Sequence, residues 1–111
     1  MENSPLAAKV AQLNDAFRRT LIGGPVLLTT GIRSLPNETI KAVLHQVRHY
    51  SDFTPDNDPY QEHDFGSFNI ENYRIFWKID YYDLTLTYGS EYPEDPTQTT
   101  RVLTIMLAEE Y

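Results

Sequence analysis

The chain has 111 residues, 41% of them hydrophobic and 13% aromatic, and a formal net charge of −7. That length suits one domain, 1–111, and the apolar fraction is sufficient for a core, which excludes wholesale disorder. Cysteine is absent, so disulfides, thiolate metal sites and cysteine nucleophiles are excluded as well.

The charge is unevenly distributed. Residues 1–48 carry six basic and three acidic side chains, whereas residues 49–111 carry three basic and thirteen acidic ones, giving +3 and −10. Such an acidic surface repels phosphate backbones, so a basic protein is the expected partner and direct nucleic-acid binding is not. The N-terminus lacks the basic start and apolar run of a secretory signal, and no stretch reaches the roughly 18 apolar residues of a membrane span. A cytoplasmic location without membrane association is expected.

In chain order, Ser4 and Pro5 read as N-cap and first residue of a helix whose Leu6, Val10, Leu13, Phe17 and Leu21 recur at helical spacing. Gly23 and Gly24 should stop it, with Arg18 and Arg19 placed where positive charge suits the helix dipole. Val26 to Thr30, between Gly24-Pro25 and Gly31, reads as a short strand. A second helix opens near Leu35-Pro36 and carries Ile40, Val43, Leu44 and Val47 on its apolar face. Ser51 to Gly66 has no periodicity and reads as a long loop. Tyr73 to Tyr82 alternates as a strand, with Ile75, Trp77 and Ile79 facing inward and Phe68 and Ile70 forming a hairpin partner through Glu71-Asn72. Leu84 to Tyr88 pairs weakly, and Val102 to Ala108 reads as a buried strand. The fold class is α+β: two N-terminal helices flanking a short strand, packed on an antiparallel C-terminal meander of three to five strands. Leu13, Phe17, Ile40, Leu44, Val47, Ile75, Trp77, Ile79, Leu103 and Ile105 form the predicted core.

Three sets of residues could carry chemistry. His45 and His49 share a helix face in HQVRH, but the HExxH glutamate position is Gln46, so a polar helix face is expected rather than a zinc site. Asp56, Asp58, His63 and Asp64 offer donors for a hard cation, yet Tyr60 and Gln61 break the calcium-loop pattern. His63 could serve as a general base with Asp64 in the set, its orienting carboxylate supplied by another segment such as Asp80 or Asp83. No cofactor is expected, and neither a GxSxG elbow nor a phosphate-binding glycine motif is present.

The stretches LNDAFRRTLIGG, FTPDNDPYQEHDFGSF with FWKIDYYD, and RVLTIMLAEEY together resemble a family of short bacterial proteins catalogued only as a domain of unknown function. The resemblance implies single-domain proteins often borne on plasmids and other mobile elements, where small acidic inhibitors of host-defence nucleases occur. It supplies no activity or catalytic residue.

Two function classes follow. One is a non-enzymatic binding protein, such as an anti-CRISPR or anti-restriction inhibitor occupying the nucleic-acid-binding surface of a basic host-defence component. Its contacts would come from Asp56, Asp58, Tyr60, Glu62, Asp64, Tyr82, Asp83, Glu91, Tyr92, Glu94 and Asp95, an acidic and aromatic set suited to arginine-rich surfaces. The alternative is a small metal-dependent hydrolase or nuclease using the Asp56–Asp64 loop.

Overall fold

The computed structural model describes residues 5–111; Ser4, read as an N-cap, lies outside them. Helix α1 spans Pro5–Thr20, strand β1 Val26–Leu28, helix α2 Thr30–Arg33 and helix α3 Asn37–Arg48. Strands β2 (Phe65–Ile70), β3 (Tyr73–Tyr82) and β4 (Thr100–Leu107) follow, and a 3-10 turn covers Ala108–Glu110.

Helix α1 opens on Pro5, whose missing N–H is spare in a first turn. Beyond Thr20 the chain turns left-handed at Leu21 and Gly23. Its buried residues are Val10, Ala11, Asn14, Phe17 and Arg18, so two polar side chains stand where an all-apolar stripe was predicted. Leu6 is 59% exposed, and Leu13 is half-buried outside the core.

Among the described residues the four strands form one sheet in the order β1-β4-β3-β2. The C-terminal strands make the expected meander: β2 pairs antiparallel with β3 and β3 antiparallel with β4. β1 instead lies parallel beside β4, with Val26 opposite Leu103 and Leu28 opposite Ile105, so the sheet is mixed. A parallel neighbour needs a long crossover, here everything from α2 to β3. Gly24 permits the approach, because a Cβ there would overlap the Arg101 carbonyl oxygen of β4.

Alternation along β3 and β4 places Ile75, Trp77, Ile79, Leu103 and Ile105 on one face, where they form one core with Phe17, Ile32, Leu35, Val43 and Val47. Ile40 and Leu44 pack against its rim. Gly66 lies opposite Trp77 in the β2–β3 register, and a Cβ there would overlap the indole nitrogen. On the other sheet face, Tyr111 packs edge-on against Phe65 and Phe76.

Three local expectations are corrected. β1 ends at Leu28 rather than Thr30, and Thr30–Arg33 forms α2, which contributes the fully buried Ile32. The strand expected at Val102–Ala108 runs Thr100–Leu107. Leu84 to Tyr88 forms turns with a single bridge between Tyr82 and Gly89. The cause is Asp83, whose carboxylate accepts the Thr85, Thr87 and Tyr88 backbone N–H groups that a strand would need for its ladder.

Candidate functional site

His63 sits at the end of the loop before β2 and has a left-handed backbone (φ 56°), as does Gln61 (φ 59°). Such conformations persist in non-glycine residues when surrounding contacts fix them. Here the imidazole stacks on Phe53 with centroids 3.9 Å apart and planes 2° from parallel. Its Nδ1 lies 3.1 Å from both Asp15 carboxylate oxygens, and its Nε2 lies 3.6 Å from Asp58 Oδ2. The His63 backbone N–H donates to Asp58 Oδ1 at 3.2 Å. A small cleft of about 250 Å³ opens beside the ring, lined also by Thr54, Pro55 and Gln61.

The orienting carboxylates thus come from α1 and from within the loop, not from Asp80 or Asp83. Asp80 pairs with Lys78 Nζ at 2.9 Å on the opposite face of the sheet, and Asp83 caps its turn. Burial, with Glu62 nearby, raises the Asp64 carboxyl above its ordinary range. Among the described residues no group of three or more His, Cys, Asp or Glu is placed to hold a metal ion, so Asp56, Asp58, His63 and Asp64 do not converge into one. Asp56 is exposed while Asp58 is buried. His45 and His49 are exposed and stack at 4.3 Å, and one His49 ring nitrogen lies 2.9 Å from the His45 carbonyl oxygen: a polar helix face.

Behind the loop lies a buried polar network that the sequence pattern did not reveal. Asn14 is fully buried and uses its whole amide: Nδ2 donates to Glu62 O at 2.9 Å and Tyr81 Oη at 2.8 Å, and Oδ1 accepts from Arg101 Nε at 2.7 Å. Tyr81 Oη donates to Glu62 Oε1 at 3.0 Å, Arg101 lies over the Tyr81 ring, and Arg101 Nη2 donates to the Pro93 carbonyl. Burial pushes the Tyr81 hydroxyl far above the usual phenol range and holds the Arg101 guanidinium below its ordinary value. Arg18 is fully buried, donating from Nη1 to the Val47, Arg48 and Tyr50 carbonyls at the end of α3 and from Nη2 to Asp15 at 2.8 Å. It therefore serves the dipole of α3 rather than that of its own helix. Burial also lowers its pKa.

The loop from Asp83 to Thr99 is built differently: its backbone is tied down while several of its large side chains are exposed. Asp83 fixes the first turn, and the Asp83 N–H donates to Tyr88 O at 2.8 Å. Ser90 Oγ, 2.6 Å from Thr99 Oγ1, accepts the Tyr92 N–H, and Thr99 Oγ1 donates to Tyr92 O at 2.6 Å. Asp95 caps Thr97 and Gln98. These hydrogen bonds hold the Asp83 and Asp95 carboxyls below the usual carboxylate range. Leu84, Leu86, Tyr88 (73%) and Tyr92 (46%) are left exposed on this frame with Glu91, while Glu94 is half-buried.

Of the remaining predicted contact residues, Tyr60 is exposed, Glu62 is half-buried and bonded to Tyr81, and Tyr82 is half-buried on the open sheet face beside Leu27 and Leu86. The predicted contacts therefore come from two loops and from the end of β3. Leu84, Leu86 and Tyr88 join the second loop's exposed set, signalled by an apolar alternation that reads as a strand.

The fold and this outward-facing loop define a small α+β protein with an acidic, aromatic surface segment. The chain belongs to the family described as protein of unknown function (DUF3768), whose model matches residues 28–110. No curated protein and no solved structure matches it. The matched span includes His63 and the 83–99 loop and leaves out α1, which carries Asn14, Asp15 and Arg18.

Proposed function

We propose that this is a non-enzymatic binding protein whose loop between β3 and β4 occupies a basic surface on a partner protein. The observation that carries it is the exposure of Tyr88 and Tyr92 beside Glu91 and Glu94 on a backbone already fixed by Asp83, Ser90, Asp95 and Thr99. Tyrosines on a pre-ordered frame lose little entropy when they bind, and exposed carboxylates steer basic partners. The −10 charge of residues 49–111 supports the same partner class. In its concrete form the protein is a cytoplasmic, mobile-element-borne bacterial inhibitor covering the nucleic-acid-binding surface of a host-defence component.

Affinity capture from the native host tests this. A basic partner should be retained at low salt and lost as salt rises. Tyr88→Ser, Tyr92→Ser, Glu91→Gln and Glu94→Gln should each weaken capture by no more than about fivefold, and their combination should abolish it. Recovery of no basic partner, or capture unmoved by the combined variant, would sink the proposal.

One observation favours a second class: the Asp15–His63 pairing beside a cleft is the geometry of an oriented general base in a small hydrolase or nuclease. On that reading His63→Ala alone abolishes an activity. On the reading adopted here it leaves capture intact.

A further inference from the structure

The cleft formed by the 83–92 turn gathers several side chains with binding capacity left over in one place. It has a volume of about 390 Å³ and is lined by Asp83, Tyr88, Ser90, Glu91, Tyr92 and Gln98, together with Gly89. Tyr50, Phe53, Phe65 and Tyr111 all have ring neighbours, and the Tyr81 hydroxyl is bonded at both ends. Among the described residues, by contrast, neither the Tyr88 nor the Tyr92 ring has an aromatic neighbour, and neither hydroxyl has a hydrogen-bond partner. Glu91 likewise has no ion-pair partner among them. Asp83 is engaged mainly through Oδ1, which accepts from Thr85 and Thr87, whereas Oδ2 accepts only the 3.3 Å bond from Tyr88 N–H. The cleft thus presents two aromatic rings, one unpaired carboxylate and one carboxylate oxygen with spare lone pairs, on a backbone held by its own hydrogen bonds.

We infer that this cleft is a receptor for an arginine side chain presented by the partner protein, with Tyr88 and Tyr92 flanking the guanidinium and Glu91 and Asp83 receiving its N–H groups. The inference rests on the basic-partner reading above and narrows it. Arginine fits where lysine does not: the guanidinium is planar, stacks on aromatic faces, is weakly hydrated and donates in a fork that matches carboxylate oxygens. A lysine ammonium satisfies the charge, but it is compact and strongly hydrated and cannot stack, so it uses the tyrosine faces less well. The asymmetry between the two cations is therefore the signature of the cleft, and pure charge attraction would not show it.

Titration calorimetry of the full chain at low salt tests this with two probes, a glycine-serine peptide carrying arginines at alternate positions and its lysine counterpart. The arginine peptide should bind about two- to fivefold tighter, the range of an exposed cation–π contact. Tyr88→Leu should bring its affinity down to that of the lysine peptide, while Glu91→Gln should weaken both. Tyr88 and Glu91 are exposed, so both variants retain the fold, which circular dichroism verifies. Equal affinity for the two peptides, or no effect of Tyr88→Leu, overturns the arginine cleft and leaves the basic-partner reading standing. Binding of neither peptide also overturns it, and the capture experiment then decides the broader reading separately.

Discussion

Trp77→Ala is expected to lower the stability of the domain by about 3–5 kcal/mol, read as a fall in the urea midpoint at an unchanged slope. Trp77 is 0% exposed and central to the core. Its ring meets Tyr50 edge-on at 5.5 Å and Phe53 at 6.2 Å, and the Arg18 guanidinium lies 5.1 Å from its centroid. Truncation would remove the transfer energy of the indole and leave a cavity whose walls cannot close, because the facing residue on β2 is Gly66 with no side chain to move in. A domain of this size has a total stability of roughly 5–15 kcal/mol, so the substitution would remove a large share of it. A loss below about 1 kcal/mol would show that the cavity collapses freely and that the packing described here does not hold.

Arg18→Ala is expected to cost about 3–5 kcal/mol as well, for an electrostatic reason. The substitution would strip the hydrogen bonds from three backbone carbonyls at the end of α3 and leave the largely buried Asp15 carboxylate without its guanidinium. Arg18→Lys should recover only part of the loss, since a single ammonium cannot span both the carbonyls and Asp15 as the fork does. Hydrogen exchange localises the effect: amides in the last turn of α3 and around Tyr50 should lose protection in Arg18→Lys while the centre of β3 keeps it. Uniform loss across the sheet would mean that Arg18 acts through global packing alone.

The two residues mark the boundary of what the sequence made legible. The β3 strand could be read because Ile75, Trp77 and Ile79 alternate with Arg74, Lys78 and Asp80, and its observed limits coincide with the predicted Tyr73–Tyr82. The face of α1 was misjudged because hydrophobic periodicity assigns polar residues to solvent. The helix instead buries Asn14 and Arg18 one turn apart, each satisfied by groups far along the chain. The Asp15–His63 pairing was hidden for the same reason: its partners are 48 positions apart, and nothing in local spacing announces them. Helix α2 is only four residues long, too short for a period. At the 83–99 loop the composition pointed to an acidic, aromatic segment, but the division of labour within it depended on turn geometry. Asp95 and the Oδ1 atom of Asp83 are engaged by the turn itself, whereas Asp83 Oδ2, with one 3.3 Å bond, Glu91 and the tyrosine side chains keep capacity to bind.

The parallel pairing of β1 with β4 has a kinetic consequence. Val26–Leu28 has no sheet neighbour until Leu103–Ile105 has been synthesised, and the Asn14–Arg101 bond closes a separation of 87 residues. The hairpin of β2 and β3 can form early from local contacts, and Arg18 of α1 meets its carbonyl partners at the end of α3, but β1 and the Oδ1 atom of Asn14 must wait for β4. Such long loop closures are favourable only once the tertiary contacts repay them, which makes folding slow and nearly all-or-none. The first quarter of the chain therefore emerges from the ribosome with Phe17, Val26 and Leu28 uncovered, and its sheet place is filled only after most of the remaining chain has followed.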